Sequence, residues 1–122
     1  MAKILIVDGE PVNVELLARR LTRRGHAALG ANSADEGLAL ALAERPDLII
    51  MDIKMPNVDG FDAMRMLQAD PATAGIPVIA LTAHAMLEDR ERAVAAGARD
   101  YETKPVNFEQ LLAKIRALTG AT

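Results

Sequence analysis

Three short apolar runs in this 122-residue chain each end on a residue with ligating or reactive chemistry: Ile4-Leu5-Ile6-Val7 on Asp8, Leu48-Ile49-Ile50-Met51 on Asp52, and Val78-Ile79-Ala80-Leu81 on Thr82. A further short stretch, Tyr101-Glu102-Thr103, runs into Lys104-Pro105. Runs this short and this uniformly apolar, separated by segments of helical periodicity, predict strands of a parallel sheet covered on both faces. In an open sheet of that kind the ligand site lies outside the carboxyl ends of the strands. The four strand ends would then bring carboxylates, a hydroxyl and an ammonium into one small pocket. That set suits a phosphoryl group: an anionic nucleophile, acids able to hold a metal, and two groups to bind phosphoryl oxygens.

Composition narrows the setting. The length fits one domain over residues 1–122 with room for a real core, and 51% apolar with 25% charged residues argues against disorder. A net charge of -3, with no basic cluster or aromatic stacking set, argues against nucleic-acid and acidic-membrane binding. With no cysteine there are no disulfides, thiolate metal sites or thiol nucleophiles. No stretch reads as a signal peptide or approaches the ~20 apolar residues of a membrane span. The expectation is a soluble, cytoplasmic protein.

The pattern resolves into five strand–helix units. The first strand covers about Lys3 to Val7. Pro11 suits the first turn of the next helix, whose apolar stripe is Val14, Leu17, Ala18 and Leu21 and whose stop is Gly25. A weak second strand spans about Ala27 to Gly30, and Ser33 caps a helix reaching Glu44, with Glu36 at the capping-box spacing. After the third strand the loop from Asp52 to Gly60 carries Pro56 and Gly60, both read as turn residues. A short helix follows to about Gln68, then the fourth strand, a helix over about Leu87 to Ala96, a short fifth strand, and a last helix over about Asn107 to Leu118. That helix puts Phe108, Leu111, Leu112 and Ile115 on one face. Alternating units with right-handed crossovers predict a doubly wound, five-stranded parallel α/β sheet with five helices.

With these residues placed, the chain resembles the receiver domain of two-component response regulators, most closely the stand-alone, single-domain receivers. The resemblance rests on Ile4 to Asp8, Asp47 to Asp52, Met55-Pro56 with Asp59-Gly60, Leu81-Thr82-Ala83, Gly97-Ala98 and Lys104-Pro105. It implies a flavodoxin-like fold with strand order 2-1-3-4-5 and a pocket at the switch between strands one and three. It also implies roles. Asp52 would accept a phosphoryl group from a phosphohistidine on a sensor histidine kinase or histidine phosphotransfer protein, and Thr82 and Lys104 would bind its oxygens. Magnesium would be held by Asp52, by acids after strand one (Asp8, with Glu10 a further candidate) and by the backbone carbonyl of Lys54. The Lys104–Pro105 bond would be cis. Tyr101 would report phosphorylation to a surface near Met86 and helix four, where a downstream protein binds. Such a receiver catalyses its own phosphoryl transfer and loss without being a dedicated enzyme. One departure stands out: the family usually carries two adjacent acids after strand one, and here the pair is Asp8-Gly9, which predicts weakened magnesium binding.

Each residue also has a plainer use. Asp52 could cap the following loop and Thr82 could be a strand-end hydroxyl. Lys104 could be a solvated loop lysine. Asp8 and Glu10 precede a helix, where acids are favoured by its dipole and can cap free N–H groups. His26 and His84 read as surface residues, Met51, Met64 and Met66 as packing, and the pairs Arg19-Arg20 and Arg23-Arg24 as a solvated helix face. Two other functions compete: a pseudo-receiver that binds partners without phosphorylation, because of Gly9, and a flavodoxin-like cofactor binder. The acidic loop Asp8-Gly9-Glu10-Pro11 disfavours the second by repelling a phosphate.

Overall fold

The uniformly apolar strands arise because each successive side chain meets a different cover. In the computed structural model, which describes residues 2–55, 59–83 and 87–120, five strands form one parallel sheet in the order β2-β1-β3-β4-β5. They are β1 (Lys3–Val7), β2 (Ala27–Ala31), β3 (Leu48–Asp52), β4 (Val78–Thr82) and β5 (Asp100–Thr103). The helices between and after them are α1 (Pro11–Arg23), α2 (Ala34–Glu44), α3 (Gly60–Ala69), α4 (Leu87–Ala95) and α5 (Phe108–Thr119). Leu5, Val7, Ile49, Met51, Val78 and Ala80 pack with residues of α2, α3 and α4. Their neighbours Ile4, Ile6, Leu48, Ile50, Ile79 and Leu81 pack with α1 and α5. The period of two along a strand thus sorts one continuous apolar run into two cores.

Local chemistry fixes the helix ends. Ser33 Oγ accepts the N–H of Glu36 at 3.1 Å, Asp59 Oδ1 that of Asp62 at 2.9 Å, and Asn107 Oδ1 that of Gln110 at 3.1 Å. Each side chain satisfies an N–H that the helix cannot pair internally. Pro11 opens α1 and Gly25, at φ 89°, follows its end. Observed element limits lie within a residue or so of those expected. No helix among the described residues is long and apolar enough to cross a membrane.

Four expectations are corrected. His26 is buried, at 5% exposure, because Nδ1 accepts the N–H of Ala2 at 3.1 Å. Met66 is half exposed on the outer side of α3, whereas Met51 and Met64 are in the core. The arginine pairs are not simply solvated: Arg20 and Arg24 lie 5.1 and 5.6 Å from the Phe108 ring, and Arg24 pairs with Glu109 at 2.5 Å. Gly60 opens α3 without positive φ, so close approach rather than turn conformation is what it supplies. Pro56 and His84 lie outside the described residues.

Candidate functional site

Parallel pairing in register carries the ends of β1, β3 and β4 to one edge of the sheet: Val7 lies beside Met51, and Asp52 beside Leu81. Asp8 follows β1 directly, Asp52 ends β3, Thr82 ends β4 and Lys104 follows β5. Asp8, Asp52 and Thr82 are buried at 2%, 6% and 5% exposure. The backbone N–H of Lys104 donates to the Thr82 carbonyl at 2.8 Å, extending the sheet by one residue. Its ammonium then reaches back into the cleft, 3.2 Å from Asp8 Oδ2 and 3.2 Å from Asp52 Oδ2. The Lys104–Pro105 peptide bond is cis.

The remaining carboxylate oxygens are held by backbone. Asp52 Oδ1 accepts the N–H of Lys54 at 3.2 Å, and Asp8 Oδ1 accepts that of Glu10 at 2.9 Å. Glu10 itself is exposed at the N-cap of α1 and makes no side-chain capping bond. Burial, then the neighbouring Asp8, push the Asp52 carboxyl above its ordinary range, against the pull of Lys104 and the Lys54 N–H. Burial alone would lower the Lys104 ammonium, but Asp52 and Asp8 outweigh it and hold it above the ordinary lysine value.

Two buried carboxylates facing one ammonium leave one negative charge uncompensated, which is the chemistry of a cation site. Magnesium takes one or two carboxylates and keeps several waters, so Asp8, Asp52 and the adjacent Lys54 backbone are a donor set it fits. Among the described residues no third histidine, cysteine or acidic side chain joins them in a cluster. Beside Lys104 opens a groove of about 470 Å³ lined by Asp8, Asn13, Leu16, Arg20, Pro105 and Val106.

Away from this cleft, Tyr101 lies half-buried on β5, packed against the α2–α4 side of the core. Two cations approach its ring: the Arg90 guanidinium of α4 at 4.3 Å and the Lys114 ammonium of α5 at 5.1 Å. Lys114 also donates to the Tyr101 carbonyl and lies 3.0 Å from Oε2 of buried Glu102, at ion-pair distance without hydrogen-bond alignment. Sequence reasoning did not find this hub; the only signal was a charged residue inside a strand. Met86 lies outside the described residues.

An open parallel sheet with an acid- and lysine-lined cleft at its switch point defines a class: α/β proteins that bind their ligands at strand carboxyl ends. Within that class, the profile of the response regulator receiver domain matches residues 4–116, and the chain belongs to that family. It is 45% identical over 118 residues to protein PilH of Pseudomonas aeruginosa, covering 97% of this chain and 98% of that one. It is 40% identical to the dual master transcriptional regulator RpaA of Synechocystis, covering all of this chain but 51% of that longer protein. Among solved structures, chemotaxis protein CheY4 of Vibrio cholerae is similar with TM-score 0.91 and 30% identity over 97% of this chain and 98% of that one. The receiver domain of a sensor histidine kinase from Pseudomonas aeruginosa, with magnesium coordinated in its active site cleft, matches with TM-score 0.89 and 32% identity over 98% of both chains.

Proposed function

We propose that this receiver is a phosphorylation-controlled signalling switch in which Asp52 is the phosphoacceptor. The observation that carries the reading is the Lys104 ammonium, 3.2 Å from both Asp52 Oδ2 and Asp8 Oδ2. A carboxylate oxygen of Asp52 attacks phosphorus of a phosphohistidine on a sensor histidine kinase or histidine phosphotransfer protein. The O–P bond forms as the N–P bond breaks, and the imidazole leaves with its electron pair. Lys104 neutralises one phosphoryl oxygen and the Thr82 hydroxyl donates to another. Asp8, Asp52 and the Lys54 carbonyl would hold magnesium, which would supply neutralisation of phosphoryl charge. Glu10, exposed at the helix start, is a further candidate.

Transfer in this reading is the receiver's own chemistry, with no dedicated enzyme activity beside it, and the state is passed on by contact with a downstream protein. Tyr101 and the region of Met86 carry that output. The net charge of -3 favours protein partners over nucleic acid or membrane, and a cytoplasmic setting suits such partners. Gly9 favours a second reading, a pseudo-receiver that binds partners irrespective of phosphorylation. A small phosphodonor with magnesium separates the two. Acid-labile labelling of the wild type, abolished in Asp52→Asn with unchanged circular dichroism, is the expected result. Labelling that persists in Asp52→Asn would sink the assignment, and none in the wild type would favour the pseudo-receiver.

A further inference from the structure

Asp8 is held by four contacts, one from the last residue of β2 and one from the turn that leaves it. Its N–H donates to the Ala31 carbonyl at 3.1 Å, and its own carbonyl accepts from Asn32 Nδ2 at 3.3 Å. Its carboxylate is then divided: Oδ1 accepts the Glu10 N–H at 2.9 Å and Oδ2 faces Lys104 at 3.2 Å. We infer that Asn32 is a positioning residue, fixing the Asp8–Gly9 peptide so that the Asp8 carboxylate is aimed at Lys104 and at a bound cation. The cation part rests on the receiver reading above.

The Asp8 carbonyl belongs to the peptide that leads into Gly9, the residue least restricted in its backbone angles. Nothing at position 9 limits how that peptide turns. Gly9 joins it to the next peptide, which carries the Glu10 N–H, so holding the first peptide narrows the directions in which that N–H can meet Asp8 Oδ1. Asn32, itself exposed, restrains that peptide by donating to the Asp8 carbonyl oxygen. Its amide is a donor there; an aspartate of the same size would set oxygen against oxygen. Asn32 has no capping duty to explain it otherwise, since Ser33 is the side chain that caps α2.

The test compares Asn32→Ala with Ser33→Ala in the full chain by amide NMR. In metal-free protein, Asn32→Ala should speed exchange of the Glu10 amide about fivefold, the size of one modest hydrogen bond. Titrated with magnesium alone, it should bind about fivefold more weakly than wild type, while its unfolding midpoint in chelator falls by no more than that one hydrogen bond accounts for. Ser33→Ala should lower that midpoint and leave magnesium affinity alone. An unchanged Glu10 exchange rate overturns the inference, and so does equal loss of affinity in both variants, which would mean simple loosening of the turn. A wild type that binds no magnesium overturns the phosphorylation-switch reading instead, while Glu10 exchange still decides what Asn32 holds.

Discussion

A Cβ atom at position 60 would lie 2.4 Å from the Asp52 carbonyl oxygen and 2.6 Å from Ile53 Cα, both backbone atoms that cannot swing aside. Gly60 also donates its N–H to the Ile53 carbonyl at 2.8 Å, so the start of α3 rests on the backbone beneath the proposed phosphoacceptor. Gly60→Ala must push α3 or the end of β3 away, at about 1–3 kcal/mol of stability by the usual cost of overpacking. We expect the phosphodonor labelling rate to fall with it. A wild-type rate and urea midpoint in that variant would mean that this contact does not hold Asp52 in place. Gly9 is proposed to be the opposite case, a glycine where an acidic side chain is expected to strengthen magnesium binding. Gly9→Asp supplies a third carboxylate near Asp8 and Asp52, and one charged contact is worth about 1.4 kcal/mol or more, or about tenfold in magnesium affinity. It should speed both labelling and loss of the label, since the metal neutralises charge in both directions. Unchanged magnesium affinity in Gly9→Asp would show that the site is complete without it.

At the scale of elements, β5 differs from the other inner-sheet neighbours because it is an edge. Its sequence, Asp100 to Thr103, is polar, and its stability comes from pairing with β4 and from Lys114 on α5. Replacing Lys114 by Met leaves the Glu102 carboxylate, 4% exposed, without its ion-pair partner. Because Lys114 is partly solvated, the loss should be about 2 kcal/mol rather than the full cost of a deeply buried pair. Tyr101 belongs to the same hub, and Tyr101→Ala should uncouple partner binding from phosphorylation while labelling proceeds at the wild-type rate. Equal phosphorylation dependence in wild type and Tyr101→Ala would count against that route. The inner strands were legible in the sequence because burial on both faces leaves a local mark, an unbroken apolar run. Asp52 and Thr82 were legible because they interrupt such runs at their ends. The contacts of Lys104 with Asp8, 96 residues away, became readable only through the strand order. Asn32, Arg90 and Lys114 left no mark, because each acts on a group brought to it only by tertiary packing.

At the scale of the whole molecule, the sheet has a functional end and a structural end, and the buried groups at the two ends respond oppositely to acid. His26 sits at the structural end, where its Nδ1 takes the Ala2 N–H and ties the entry of β1 to that of β2. Burial lowers its affinity for a proton below the ordinary value of 6.5, helped by the charge of Arg116. The unfolded chain takes up that proton as the pH falls below about 6.5 while the folded chain resists, so stability must fall there. Asp52 works the other way: its raised value means that the folded state gains a proton before the unfolded one, which favours folding as the pH drops. The two groups act in opposite directions as the pH is lowered, so the histidine's share is best read in Asp52→Asn. In that background the urea midpoint should decline from pH 7 to pH 5.5, by at most about 1.4 kcal/mol per pH unit for one proton. Adding His26→Gln removes the titrating group while keeping a side-chain acceptor for the Ala2 N–H, and should flatten the decline. The same slope with and without His26 would place the acid sensitivity elsewhere and leave the buried histidine a purely structural acceptor.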